Sequence, residues 1–119
     1  MRTPVPDVSL EGDPDLLHSL EEWLRDVDAL RGRVRLEQRA PAPGRMGADP
    51  ALVVAVESDG QRAALSRTVE LWLRMRGGDV TLKFRVGPRV TELDLRGDVD
   101  VELVLRQVDT LIRQALSDR

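Results

Sequence analysis

The chain has 119 residues, 41% of them hydrophobic and 33% charged, with no Cys and a formal net charge of −3. That length fits one α+β domain over residues 1–119 with a single core. The absence of Cys excludes disulfides, thiolate nucleophiles and sulfur metal sites, and no apolar run reaches the ~18 residues of a membrane span.

Charge is spread unevenly. Residues 1–30 hold 2 Arg against 8 acids, residues 31–89 hold 12 basic residues against 6 acids, and residues 90–119 hold 4 Arg against 7 acids. A basic middle is suited either to an anionic surface or to the chain's own acidic ends. Arg outnumbers Lys 17 to 1, and Asn and Tyr are absent, which we read as the codon bias of a GC-rich genome. The opening MRTPVPDVSLEGD is short of apolar residues and already acidic, so it does not read as a signal peptide. A cytoplasmic location is the expectation.

Val5, Val8 and Leu10 precede a turn at Glu11-Gly12 and suggest a first strand over 5–10. GDPDLL then opens a helix. Asp13 can cap free N–H groups and Pro14 suits the first helical position. Leu16, Leu20, Trp23, Leu24 and Val27 continue at helical spacing, giving a helix over about 14–28. RGRVRLEQR at 31–39 alternates, with Val34 and Leu36 inward and Arg33, Arg35 and Glu37 outward, as in a half-buried strand. APAPGRMGADP at 40–50 reads as a loop.

ALVVAVES at 51–58 is ambiguous. Its Val content favours a buried strand, whereas Asp49-Pro50 repeats the helix-start chemistry of Asp13-Pro14. We take it as a short buried helix. Ser58 with Gln61 forms a capping box for a second long helix, reaching about Arg76 and ended by Gly77-Gly78. Leu65, Val69 and Trp72 form its stripe. Leu71, Leu73 and Met75 widen it, so this helix should be more buried than the first.

DVTLKFRV puts Val80, Leu82, Phe84 and Val86 on one face and Thr81, Lys83 and Arg85 on the other. Gly87-Pro88 turns the chain and RVTELDL returns. A symmetric turn pairs Val80 with Leu95, Leu82 with Leu93 and Phe84 with Thr91 on the core side. It pairs Lys83 with Glu92 and Thr81 with Asp94 on the other, and a one-residue slip spoils both faces. A final amphipathic helix spans about 99–117.

The expected order is β-α-β-(α)-α-β-β-α. The expected fold is α+β and two-layered. It has a mixed four-stranded sheet with helices mainly on one face and a right-handed parallel first crossover. EEWLRD at 21–26 returns as ELWLRM at 70–75, each with one Trp. The following strands begin at different distances, so this is one packing solution used twice and not a fixed repeat. A large ring suits the seam between helix and sheet.

Chemistry-bearing motifs are sparse. His18, the sole His, has Glu22 at i+4 and reads as a wet surface pair. Asp94, Asp98, Asp100 and Glu102 lack the spacing of a calcium loop and suit helix capping. RMRGGD lacks the phosphate-loop pattern, and no Ser–His–Asp arrangement is available. We expect no catalytic, cofactor-binding or metal-binding residues. Arg33, Arg35, Lys83 and Arg85 point to the sheet face opposite the helices, and would form a basic patch if their strands are neighbours. Arg45 and Met46 lie in the Pro/Gly loop, and Met46 can serve as an adaptable anchor. These six are the candidate partner-binding residues.

LRGRVRLEQRAPAPGRMGA at 30–48, ALVVAVESDG at 51–60, LSRTVELWLRMRGGDVTLKF at 65–84 and VELVLRQVDTLI at 101–112 together resemble the effector-associated constant component domains of actinobacteria. The resemblance implies a non-catalytic component of bacterial conflict systems. Such a component would sit beside variable effectors, including caspase-like or trypsin-like proteases, and couple them to a sensing or assembly partner. It also favours a helix over 50–57. The partner expected is thus a protein effector or its regulator, with self-association compatible. Nucleic acid on the basic sheet face is the alternative. It is disfavoured because all three aromatics look buried and stacking needs exposed ones.

Overall fold

The structure, a computed structural model, describes residues 7–39, 49–76, 80–87, 89–95 and 100–117. Strand β1 (Asp7–Glu11) leads into helix α1 (Pro14–Arg25) and a 3-10 turn at Asp28–Leu30. Strands β2 (Val34–Arg39) and β3 (Asp49–Ala55) follow, then helix α2 (Asp59–Arg76). Strands β4 (Val80–Val86) and β5 (Arg89–Leu95) precede helix α3 (Val101–Ser117).

The expected α+β class is observed. Two details of the sheet differ from expectation. Among the described residues it has five strands in the order β2-β3-β1-β4-β5, and every neighbouring pair is antiparallel, so it is neither four-stranded nor mixed. The extra strand is β3, the segment expected to be a short helix. Its Val-rich run is buried on both faces, with Ala51, Leu52, Val53 and Val54 all at 1% exposure or less. A central strand meets that demand, and β3 pairs with β1 on one side and β2 on the other. Asp49-Pro50 therefore opens a strand. β1 and β2 run parallel, as the first crossover requires, but β3 lies between them.

The β4–β5 register is the one expected from the symmetric turn: Val80 pairs with Leu95, Leu82 with Leu93, Lys83 with Glu92 and Phe84 with Thr91. Gly87 makes the turn at φ 60°, a conformation open to Gly without a Cβ clash. Gly12 serves a close approach instead, because a Cβ there would meet the Leu82 side chain at 3.0 Å and the Thr81 carbonyl at 3.1 Å.

Helix starts follow the local chemistry. Asp13 Oδ1 accepts from Asp15 N at 2.9 Å with Pro14 at the first position. Ser58 Oγ accepts from Gln61 N at 3.2 Å, while Gln61 Oε1 accepts from Glu57 N at 2.7 Å. Asp100 Oδ1 accepts from Leu103 N at 3.1 Å, which accounts for one member of the acidic cluster. Helix α1 ends at Arg25, three residues earlier than expected, and the tighter 3-10 turn carries Leu30 into the core.

Helix α1 packs on β2 and β3, α3 packs on β4 and β5, and α2 lies against both helices. One hydrophobic cluster joins Val8, Leu10, Leu52, Val54, Leu82 and Phe84 of the sheet to Leu17, Leu20, Leu24, Leu65, Val69, Trp72, Leu105, Val108 and Ile112 of the helices. Burying each such Leu is worth roughly 1.5–3 kcal/mol. Trp72, 2% exposed, sends its Nε1–H to Ser19 Oγ at 3.1 Å and so ties α2 to α1. Trp23 packs half-buried against the same core. α2 is less buried on its outer side than expected, since Leu71 and Met75 are 48% and 72% exposed.

Candidate interaction surfaces and a buried ion-pair seam

Strand alternation puts the odd-numbered residues of β1 to β4 on the face away from the helices. Pairing builds that face in rows. One row runs Arg35, Val53, Ser9, Arg85, and the next runs Glu37, Ala51, Glu11, Lys83, Glu92. Arg33 opens a third row, because its carbonyl accepts from Ala55 N at 3.0 Å and Ala55 pairs with Asp7.

Arg33, Arg35, Lys83 and Arg85 thus share a face, as expected, but they do not form one basic patch. Their strands are not neighbours: β3 and β1 intervene. Three strand spacings of ~4.8 Å put Arg35 about 14 Å from Arg85 across the sheet. The space between is filled by small residues and by carboxylates. Arg35 donates from Nε to Glu37 at 2.7 Å, and from Nη2 across β3 to Asp7 at 3.2 Å. Arg33 is held by Glu57 at 3.0 Å. These bonds raise both guanidinium pKa values above the usual Arg value, Arg33 through Glu57 and Arg35 through Glu37 first and Asp7 second. Arg85 differs: its Nε is buried and makes no hydrogen bond among the described residues. The side chains of Glu92 and Asp94 lie outside the described residues, as do Arg45 and Met46.

The site that sequence reasoning missed lies between α2 and α3. Arg62 is charged yet its side chain is only 7% exposed. It donates from Nε to Asp59 at 2.8 Å and from Nη1 to Asp109, whose Oδ1 also accepts from Ser66 Oγ at 2.9 Å. Arg113 holds the other Asp109 oxygen at 3.2 Å. The Arg62 hydrogen bond keeps the Asp59 carboxyl below the usual Asp value. The Arg62 guanidinium is pushed up, first by Asp59 and then by Asp109. The signal was legible: Arg62 stands on the stripe of Leu65, Val69 and Trp72, three, seven and ten positions before them. An Arg on a buried stripe demands a partner.

A shallow groove runs along this seam, edged by Ser66, Arg67, Glu70, Glu102, Arg106 and Asp109. Its charges are of both signs and largely paired within their own helices, as in Arg106 with Glu102 and Arg74 with Glu70. His18 is 68% exposed, with Nε2 3.5 Å from Glu22 and Nδ1 3.8 Å from Glu21. It is on the solvent side of α1, as expected. Among the described residues no group of three or more potential metal ligands converges, and no helix is long and apolar enough to cross a membrane.

Residues 9–112 match a family described as Effector Associated Constant Component 1. No curated protein and no solved structure is similar enough to add a comparison. The matched span runs from the middle of β1 into the last turns of α3 and takes in every strand and helix of the core. With most of its length covered, this chain belongs to the Effector Associated Constant Component 1 family.

Proposed function

We propose that this chain is a non-catalytic adaptor that recruits or restrains a variable effector, such as a caspase-like or trypsin-like protease, in a bacterial conflict system. The match over residues 9–112 carries the reading, because the family is described as the constant part of effector-associated systems. A constant component that serves changing effectors needs a preserved exterior more than a reactive pocket. The partner surface on this reading is the helix-free sheet face with Arg33, Arg35, Lys83 and Arg85, with Arg45 and Met46 as further candidates from the sequence alone. Interspersed carboxylates make the face mixed in charge, which suits a protein partner better than a phosphate backbone. On this reading the adaptor would act in the cytoplasm.

The test is co-purification of the tagged full chain with the effector encoded beside it. The wild type should retain the effector, and Arg33→Glu/Arg85→Glu should release most of it. Undiminished recovery removes the sheet face from the proposal. Recovery of nucleic acid instead, falling steeply with salt, would replace the adaptor reading with the alternative.

A further inference from the structure

The β2 edge of the sheet carries a self-complementary pattern. Among the described strands β2 is an outermost one, and its sequence VRLEQR contains neither Pro nor Gly to interrupt pairing. Leu36 shares the core side with Val34 yet is 40% exposed, against 8% for Val34. A large apolar side chain is therefore left open at the rim.

Backbone direction fixes which register is available. The bond from Ala55 N to the Arg33 carbonyl marks 33 and 55 as a hydrogen-bonded pair. By antiparallel alternation, Arg35 and Glu37 also turn their N–H and C=O groups to β3. Val34, Leu36 and Gln38 must then turn theirs outward, to the free edge.

From this edge we propose that two copies of the chain join through β2, antiparallel about a two-fold axis at Leu36, into one ten-stranded sheet. In that register Leu36 pairs with Leu36 of the second copy and Val34 with Gln38, using all the outward groups. Arg35 then stands opposite Glu37 and Glu37 opposite Arg35, in the narrow non-hydrogen-bonded positions where side chains approach closest. Axes at residue 34 or 35 set Arg against Arg, and an axis at 37 sets Glu against Glu. An axis at 38 shortens the overlap and takes Leu36 off Leu36. The end pair, Arg33 opposite position 39, is like-charged, and Glu57 already neutralises Arg33. The helix layer leaves room. With α1 over β2 and β3, the two α1 helices would lie about 10 Å apart, an ordinary helix packing distance. This proposal rests on the sheet edge and stands apart from the adaptor reading.

Sedimentation equilibrium of the full chain tests it. The wild type should reach twice the chain mass of 13.3 kDa as concentration rises. Glu37→Arg should weaken association ~10-fold or more by facing Arg with Arg, and Arg35→Glu/Glu37→Arg should restore it. Circular dichroism checks that each variant is folded. Leu36→Cys places a single thiol in a chain that otherwise has none, and this variant should cross-link with a short bis-maleimide, because paired Cα atoms would be about 5.5 Å apart. A wild type that stays monomeric overturns the proposal. So does a dimer that Glu37→Arg leaves intact, or a Leu36→Cys variant that fails to cross-link.

Discussion

At the scale of single residues, Arg62 shows how a charge can occupy a core stripe. Its guanidinium is almost fully withdrawn from water, so the pair with Asp109 must offset a large desolvation cost. Removing one member costs more than removing both. We predict that Arg62→Met destabilises the fold by about 3 kcal/mol, the low end for a broken buried pair, because Ser66 and Arg113 still hold Asp109. Arg62→Met/Asp109→Leu should recover most of that loss, and urea unfolding of both variants measures it. Asp59 gives the pH dependence. Its folded-state pKa lies below the unfolded value, so its contribution is complete above the unfolded value of about 4 and fades as pH falls through the folded one. Asp59→Asn should therefore flatten the acid limb of a stability–pH curve below about pH 4 and leave its shape at neutral pH unchanged. A limb as steep as the wild type's would mean that other carboxylates govern it. The demand of Arg62 for a partner was legible, but the partner's identity was hidden, because Arg62 and Asp109 lie in separate helices and meet only through the packing of α2 on α3.

At the scale of elements, the most legible features were those set by near neighbours. Asp13-Pro14 and Ser58 with Gln61 announce their helices because a cap needs partners only two to four residues away. The β4–β5 register was readable for the same reason: a two-faced alternation around one turn leaves a single fit. The misread element was β3. A segment buried on both faces loses the alternation that identifies a strand, and its partners β1 and β2 are distant in sequence. Leu71 and Met75 were misplaced by reading apolar content as burial; α2 packs against α1 and α3, and these two side chains stay largely on its outer side. Capping can be measured directly. Asp13→Ala removes the acceptor for Asp15 N and should lower stability by ~1 kcal/mol, read as a shifted denaturant midpoint with an unchanged slope.

At the scale of the whole molecule, the helices take one face of the sheet and leave the other to charged and small side chains. The basic middle of the sequence was expected to gather into a patch. Topology prevents this by inserting β3 and β1 between the two sets of basic residues. Sequence composition counts charges, whereas strand order decides which of them meet. The outcome is a face of mixed sign in place of one basic patch. Its unfilled donor at Arg85 and its open edge at β2 lie on different parts of the same sheet.

The adaptor reading is tested most directly by the dissociation constant between the purified chain and the effector encoded next to it, measured by isothermal titration calorimetry. We expect a saturable complex whose dissociation constant rises ~10-fold or more in Arg33→Glu/Arg85→Glu, the equivalent of about 1.4 kcal/mol. No detectable complex at ~100 μM effector, a concentration that would reveal even micromolar binding, would contradict it.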